Sequence, residues 1–412
     1  MWVAIADWLQ IDLAPPEAPF WAALALVAGG VLGEAVRRGL GLPRIVGYGA
    51  VGLLAGALLG RGLDVMHGTP RLVVDLALAL LLFELGSRVR LAWLRANPAL
   101  LATGLLESLL AFGAVFAALR LAGLELPAAL ALATLGSCGC GAVVMRVSGE
   151  LRAAGQVTER LLVITAMNTL FAVLLHRLLI GWLHLEVAGD WVRAVALPLW
   201  VFGGSVLVAA LLALLVAHVA RRLDLRDENA ALLLLGLVVL ALVAAKALAL
   251  STLLVPLLAG VVLRNTTARP WVWPRHFGTA GGVLVLMMFV AAGSAWSLQA
   301  VALGGALGAL LLAVRVAAQG AAVLLLAPWS GLRRRQAAGL ALALAPMSAT
   351  ALVLLADLQA TLPGFAPQVA PIALSAVAFS VLLGPLAVQW GLRLAAEDHP
   401  DSTAPRALGA AA

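Results

Sequence analysis

The chain has few cysteines and few charged residues. Its 412 residues include two cysteines, Cys138 and Cys140, which lie together in one apolar stretch. A Cys-Gly-Cys run provides neither a disulfide framework nor a zinc-binding pattern, so we interpret both as small residues that let helices approach closely. Charged residues make up 11% of the chain, and no basic cluster is larger than one loop, so a nucleic-acid-binding function is not expected.

The sequence also lacks the motifs of an intramembrane enzyme. It contains no His-Glu-x-x-His, no Gly-x-Ser-x-Gly and no carboxylate pair within an apolar segment. Its six histidines are scattered, and we interpret them all as residues of the membrane boundary rather than metal ligands. We therefore expect neither an enzyme nor a cofactor.

Apolar residues dominate what remains. They form 63% of the chain, and the mean hydropathy is +1.06. A membrane-spanning helix needs ~20 mostly apolar residues. The gaps between apolar stretches are short, so no soluble domain is expected. The stretches predict an all-α membrane protein with thirteen spanning helices, at about residues 20–36, 44–60, 72–87, 97–119, 126–146, 159–182, 194–220, 229–246, 248–263, 278–295, 299–326, 336–357 and 367–393.

Positive charge alternates between the gaps. Twenty of the 27 Lys and Arg residues fall in every second gap or in the tail. Because positive loops stay on the cytoplasmic side, this pattern predicts an outside N-terminus and a cytoplasmic tail at 397–412, with arginines facing the lipid headgroups. Lys246 is the single lysine. An excess of arginine is typical of a GC-rich bacterial genome, so we expect a multi-pass protein of a bacterial inner membrane.

Thirteen spans divide into six, one and six. The predicted repeats cover about residues 20–182 and 229–393, and a linking span covers about 194–220. An odd linking span makes the two halves enter the membrane from opposite sides, as in many secondary transporters with inverted repeats.

Two spans at corresponding places in the halves carry helix breakers. The fifth contains Gly139 and Gly141, and the twelfth contains Pro346. Breaks at membrane depth are tolerated only against protein or a water-filled cavity, so a matched pair favours a transport site near the midplane. Alternatively, such glycines serve only helix packing, which is how we interpret the cluster around Gly49 and Gly52.

Several motifs in order resemble the monovalent cation:proton antiporter superfamily. They are Gly-Leu-Pro-Arg-Ile-Val-Gly-Tyr-Gly from Gly41, Leu-Leu-Leu-Phe-Glu-Leu-Gly ending at Gly86, the segment Leu253 to Asn265, and Arg315 in the eleventh span. The resemblance covers most of the chain. It implies exchange of Na⁺ or K⁺ for protons, a homodimer, a dimerisation domain and a mobile core whose two broken helices cross at the ion site.

The chain departs from the family at that site. The family presents a pair ending in Asp on the sixth span, where this chain has Asn168 and Thr169. A hydroxyl and an amide offer oxygen ligands but do not titrate near neutral pH. The crossing helices also carry smaller or neutral residues. The remaining candidate ligands that the resemblance implies there are Ser137, Cys138, Cys140, Ser348 and Thr350.

A displaced carboxylate is therefore needed for competitive exchange of a cation and a proton. Glu107 lies near the middle of the fourth span and is the first candidate, with Glu84 second. Alternatively, Glu107 and Arg315 form a static bridge between two helices, because an unpaired buried charge is costly. Asp75 and Asp357 lie near the outer ends, where we expect them to contact water, and Lys246 is expected to extend towards the interface.

Two functional hypotheses follow. The first is a cation:proton antiporter with an atypical ion site in which Glu107 or another acid titrates. The second is a transporter-like protein without proton coupling, either a carrier of another solute or an inactive regulatory paralogue. The missing Asp favours the second hypothesis, and the motifs and matched breaks favour the first.

Overall fold

The computed structural model describes residues 18–58, 68–188, 191–222, 228–267, 277–347, 349–361, 364 and 366–398. Within these ranges the regular structure is helical, without strands. The α-helices in chain order are α1 (Ala18–Leu40), α2 (Arg44–Leu58), α3 (Gly68–Arg88), α4 (Leu91–Ala96), α5 (Pro98–Leu121), α6 (Leu126–Gly136), α7 (Gly141–Glu150), α8 (Gln156–Ala188), α9 (Trp191–Arg222), α10 (Glu228–Ala247), α11 (Leu254–Thr266), α12 (Phe277–Ser294), α13 (Leu298–Leu326), α14 (Arg334–Ala343), α15 (Ala349–Thr361) and α16 (Ala366–Leu394).

Six helical segments in the described ranges are long and apolar enough to cross a membrane by length and composition: Pro98–Leu121, Leu126–Glu150, Gln156–Leu183, Ala194–Arg221, Leu298–Leu326 and Pro367–Leu394. Other apolar helices are shorter. The 13 residues of α11 extend about 20 Å at 1.5 Å per residue, less than the ~30 Å hydrocarbon core. The membrane class is confirmed, while the count of thirteen spans and the repeat boundaries stay predictions.

The helices pack in two groups. The first contains α1, α2, α3, α9, α10, α11 and α12, and the second contains α5, α6, α7, α8, α13, α14, α15 and α16. Close approach in the first group depends on glycine, since a Cβ on Gly52 of α2 would lie 2.9 Å from the Cα of Gly293 in α12. The glycines of α2 therefore serve helix packing.

The first residue of the predicted tail is part of the fold. The buried Glu397 carboxylate accepts hydrogen bonds from the backbone N–H groups of Val157 and Thr158, both at 2.7 Å, and from the Thr158 hydroxyl at 2.8 Å. The first N–H groups of a helix have no partner within it, and their partial positive charge favours an anion. Glu397 thereby stabilises the start of α8.

Candidate ion site

The fifth predicted span is interrupted in its middle. Helix α6 ends at Gly136, residues 138–140 have no regular structure, and α7 begins at Gly141. Glycine lowers helix stability here, and the Ser137 hydroxyl competes by donating to the carbonyl of Thr134 at 2.7 Å. The break exposes carbonyls at the end of α6 and N–H groups at the start of α7 inside the protein.

The twelfth predicted span is interrupted in the same way. Helix α14 ends at Ala343, residues 345–347 have no regular structure, and α15 begins at Ala349. Pro346 cannot donate a backbone hydrogen bond, which prevents the helix from continuing. Ser348, a candidate ligand from the sequence, lies outside the described residues.

The two breaks contact each other directly. The backbone N–H of Cys140 donates to the carbonyl of Pro346 at 3.1 Å, and the Thr350 hydroxyl donates to the carbonyl of Gly139 at 3.1 Å. Gly139 has little free space, because a Cβ there would lie 3.3 Å from Cβ of Asn168. The crossing is therefore hydrogen-bonded across both broken helices and adjoins α8.

Arg315 of α13 binds both breaks through its fully buried guanidinium group. Its nitrogens donate to the carbonyl oxygens of Gly136 at 2.6 Å, Ala345 at 2.5 Å, Cys138 at 2.8 Å and Pro346 at 3.3 Å. These carbonyls lie at the C-terminal ends of α6 and α14, where the helix dipole favours a cation. The arginine thus donates hydrogen bonds to backbone carbonyls that have no partner within their own helices.

This arrangement corrects the expected bridge between Glu107 and Arg315. In the part of the chain that the structure describes, no ion pair joins the two side chains, and the arginine donates to backbone carbonyls instead. Sequence reasoning considered only charged side chains as partners. It could not show that two helix ends bring four carbonyls together.

Glu107 lies among neutral polar groups. The carboxylate is fully buried on α5, and its Oε1 accepts hydrogen bonds from Nδ2 of Asn168 at 3.1 Å and from Nε2 of Gln319. The Ser108 hydroxyl lies 2.9 Å from Oδ1 of Asn168 and 3.4 Å from Oε2 of Glu107. Three helices, α5, α8 and α13, therefore bring one carboxylate, two amides and one hydroxyl together.

Of the pair on α8, only Asn168 joins this cluster. Thr169 is buried, but its hydroxyl donates to the carbonyl of Thr165, one turn earlier, at 3.0 Å. Both cysteines are buried and reduced, and the Cys138 thiol lies 3.9 Å from the carbonyl of Thr134. The structure therefore brings Glu107 to Asn168 and leaves Thr169 bound to its own helix.

Sequence reasoning missed Ser108 and Gln319. Gln319 follows Arg315 by one helical turn, so both side chains lie on one face of α13. Ser108 directly follows Glu107. The available signal was the position of Gln319, an uncharged polar residue four positions after Arg315 in an apolar helix. Such an amide is less conspicuous in a sequence than a charged residue.

One acid differs from expectation at the end predicted to face outward. Asp75 is 3% exposed rather than in water, and its Oδ2 lies 2.5 Å from Nζ of Lys246. The Asp357 carboxylate pairs with Arg177 at 2.9 Å and with the buried His176 at 3.1 Å. These carboxylates have cationic partners, unlike Glu107.

The second candidate, Glu84, lies at the other end of α3. Its carboxylate is 3.5 Å from the Arg88 guanidinium, and both side chains are partly exposed. A carboxylate with a nearby exposed arginine is a poor alternative to a buried one between amides. Among the described residues, the Glu84 carboxylate pairs with Arg88 rather than with a group of the crossing.

Comparison with known proteins shows the family of the chain. The family model described as "Sodium/hydrogen exchanger, transmembrane" matches residues 22–394. The chain belongs to the sodium/hydrogen exchanger family, whose members are membrane transporters rather than enzymes. The resemblance seen in the motifs is thereby confirmed.

Two solved structures of one archaeal protein share the fold. A structure of the sodium/proton antiporter MjNhaP1 from Methanocaldococcus jannaschii at pH 8 is 16% identical, with a TM-score of 0.62 over 91% of this chain and 94% of that one. An electron-microscopy map of the same antiporter gives a TM-score of 0.74 at 16% identity, over 92% and 97%. No curated protein sequence matches the chain significantly.

Proposed function

We propose that this protein is a secondary transporter that exchanges a monovalent cation, Na⁺ or K⁺, for protons, and that Glu107 is the group that either ion neutralises. The family and the fold shared with a sodium/proton antiporter support the exchange. The observation that carries the assignment to Glu107 is its burial among the amides of Asn168 and Gln319, with no cationic side chain of the described residues in ion-pair contact.

Competition at one carboxylate explains coupling in physical terms. A bare carboxylate deep in a membrane protein is costly, so the loaded forms carry either a proton or a cation. Because each neutralises the same charge, binding of one excludes the other. In this proposal the crossing held by Arg315 provides a fixed wall, and Asn168 and Ser108 provide neutral oxygen and N–H groups around the ion.

The finer features of the proposal concern topology and assembly. It includes thirteen spans with the N-terminus outside, a bacterial inner membrane, and a homodimer as the family implies. The group containing α5, α8 and α13 would move relative to the other group, exposing Glu107 to each side in turn. The full burial of Glu107 supports alternating access, since an open pore would expose it.

The test is cation-dependent collapse of a preset pH gradient in inverted membrane vesicles. We expect Na⁺ or K⁺ to collapse the gradient in wild type, and Glu107→Gln to abolish the response because a neutral amide cannot exchange a proton. Glu84→Gln is the matched control and retains the response. Flux that survives Glu107→Gln would remove Glu107 from the mechanism.

The second candidate, a transporter without proton coupling, is favoured by one observation. Thr169 stands where the family has its Asp, and its hydroxyl is bonded to its own helix. If wild type gives no flux with any monovalent cation, this candidate replaces the first. Thr169→Asp should then confer or enhance pH-dependent cation binding. Binding that depends on neither pH nor this substitution would contradict the assignment of Asn168 and Thr169 to the family's pair.

A further inference from the structure

We propose that Gln319 is a ligand of the Glu107 site and serves both of its occupants, as hydrogen-bond acceptor for the protonated acid and as an oxygen ligand for the cation. This proposal rests on the proposed function above. It assigns a binding role to a residue that the family motifs do not contain, and it follows from the position and unequal bonding of one buried amide.

The first observation is the position of the amide. Gln319 is 1% exposed, and its Nε2 donates to the same Glu107 oxygen that accepts from Asn168. Its helix neighbour Arg315, one turn away, is engaged by the crossing. Gln319 is thus the group of α13 that directly contacts the carboxylate.

The second observation is that the amide is only half satisfied. Among the described residues, nothing donates a hydrogen bond to the buried Oε1 of Gln319, whereas Oδ1 of Asn168 accepts from Ser108. A buried acceptor without a donor destabilises the protein. Such a cost is offset if the oxygen binds something during the transport cycle.

Protonation of Glu107 supplies that partner. The neutral acid has an O–H donor that its ionised form lacks. Nε2 of Gln319 already donates to Oε1 of Glu107. With the proton on Oε2 of Glu107, the acid can donate in return to Oε1 of Gln319, so that the acid and the amide exchange two hydrogen bonds. The only covalent bond that forms or breaks in this step is the O–H bond of Glu107.

The cation-loaded form uses the same oxygen differently. A monovalent cation at the Glu107 carboxylate requires further oxygen ligands to replace its water, as carbonyl oxygens do in ion-selective sites. Oε1 of Gln319 supplies one without adding charge, so one carboxylate still balances one cation. Ser108 and Asn168 contribute further oxygens from α5 and α8.

An unpaired amide oxygen alone does not identify a site. Gln389 of α16 is also 1% exposed, its Nε2 donates to the carbonyl of Gly41 at 2.7 Å, and its Oε1 has no donor among the described residues. It contacts a loop carbonyl rather than a carboxylate. Gln389 therefore provides a matched control with the same residue type, burial and unpaired oxygen.

The experiment compares Gln319→Met with Gln389→Met in purified protein reconstituted into liposomes. The apparent KM for Na⁺ and for K⁺ is measured at three pH values. We expect Gln319→Met to raise the apparent KM for the transported cation about tenfold, in the range found for lost metal-site contacts. Gln389→Met should leave it within about twofold of wild type, a difference under ~0.5 kcal/mol.

Gln319→Asn keeps the amide but withdraws it by one methylene, and it covers the case in which Gln319→Met does not fold. We expect a changed ratio of the Na⁺ and K⁺ KM values, because the oxygen no longer reaches the same point. Unchanged KM values and ratio in a folded Gln319 variant would overturn the proposal. If Glu107→Gln abolishes flux in the same assay, that result would overturn the proposal for Gln319 alone. Absence of flux in the wild-type protein would overturn the proposed function itself.

Discussion

Two buried carboxylates of this protein have opposite surroundings. Asp75 of α3 is bound by Lys246 of α10 at 2.5 Å, with Arg71 at 3.8 Å, and lies within one helix group. Glu107 of α5 is bound by the amides of Asn168 and Gln319. Removing the charge of Asp75 would leave a cation without its partner, whereas neutralising Glu107 between two amides breaks no ion pair. In our proposal the first arrangement is structural and the second allows exchange.

The contrast between Asp75 and Glu107 holds because Arg315 binds backbone carbonyls rather than Glu107. Removing the arginine side chain is expected to have the largest effect on stability. Arg315→Met removes a donor from four buried carbonyls. Only that of Pro346 has a further donor among the described residues, the N–H of Cys140, and each of the other three costs about 1 kcal/mol or more. We expect the folded protein not to accumulate, as measured by fluorescence-detected size-exclusion chromatography. Arg315→Lys, with fewer donors, should accumulate with a lowered Tm. An Arg315→Met protein as stable as wild type would show that the crossing does not need these bonds.

Replacing each of the two carboxylates by the corresponding amide tests the contrast between them directly. Asp75→Asn should lower the free energy of unfolding by about 1–2 kcal/mol, a value reduced because Lys246 is 36% exposed. Glu107→Gln should leave the Tm unchanged or higher. Cation-dependent flux should show the reverse pattern, being retained in Asp75→Asn. Equal stability losses in both variants would contradict the distinction.

A third buried carboxylate, Glu397, gives the smallest effect. Glu397→Gln keeps one acceptor at the start of α8 but loses the charge, and we expect a loss of about 1 kcal/mol, as for other helix caps. Asp398→Asn is the control, since its neighbour Arg393 lies 3.6 Å away and both are partly exposed. The readout is Tm in detergent. No difference between the two variants would mean that this contact is dispensable.

Sequence reasoning predicted the membrane class, the family and the two helix breaks because each depends on local pattern. Apolar length, the Gly139 and Gly141 pair, and Pro346 act on the helix that contains them. The same reasoning selected Glu107 and Asn168 separately as candidates. Their direct contact, 61 positions apart in sequence, came from helix packing, and their role in transport stays a prediction.

The misses share a physical cause. Arg315 was expected to pair with Glu107 because a sequence does not show which backbone carbonyls lack a hydrogen-bond donor. Asp75 was placed in water because its partner Lys246 belongs to a helix far along the chain, and position near a span end suggests exposure. Gln319 was overlooked because an uncharged amide carries no obvious cost until its burial is known.

The guanidinium group of Arg315 has a mechanical consequence. Since it binds carbonyls from the interruptions of both spans, the two interruptions cannot separate without breaking several short, buried hydrogen bonds. We infer that they travel together as a cross-linked unit. Any step that carries an ion between the two aqueous compartments must then displace this unit whole, against the neighbouring helices, instead of prising it apart.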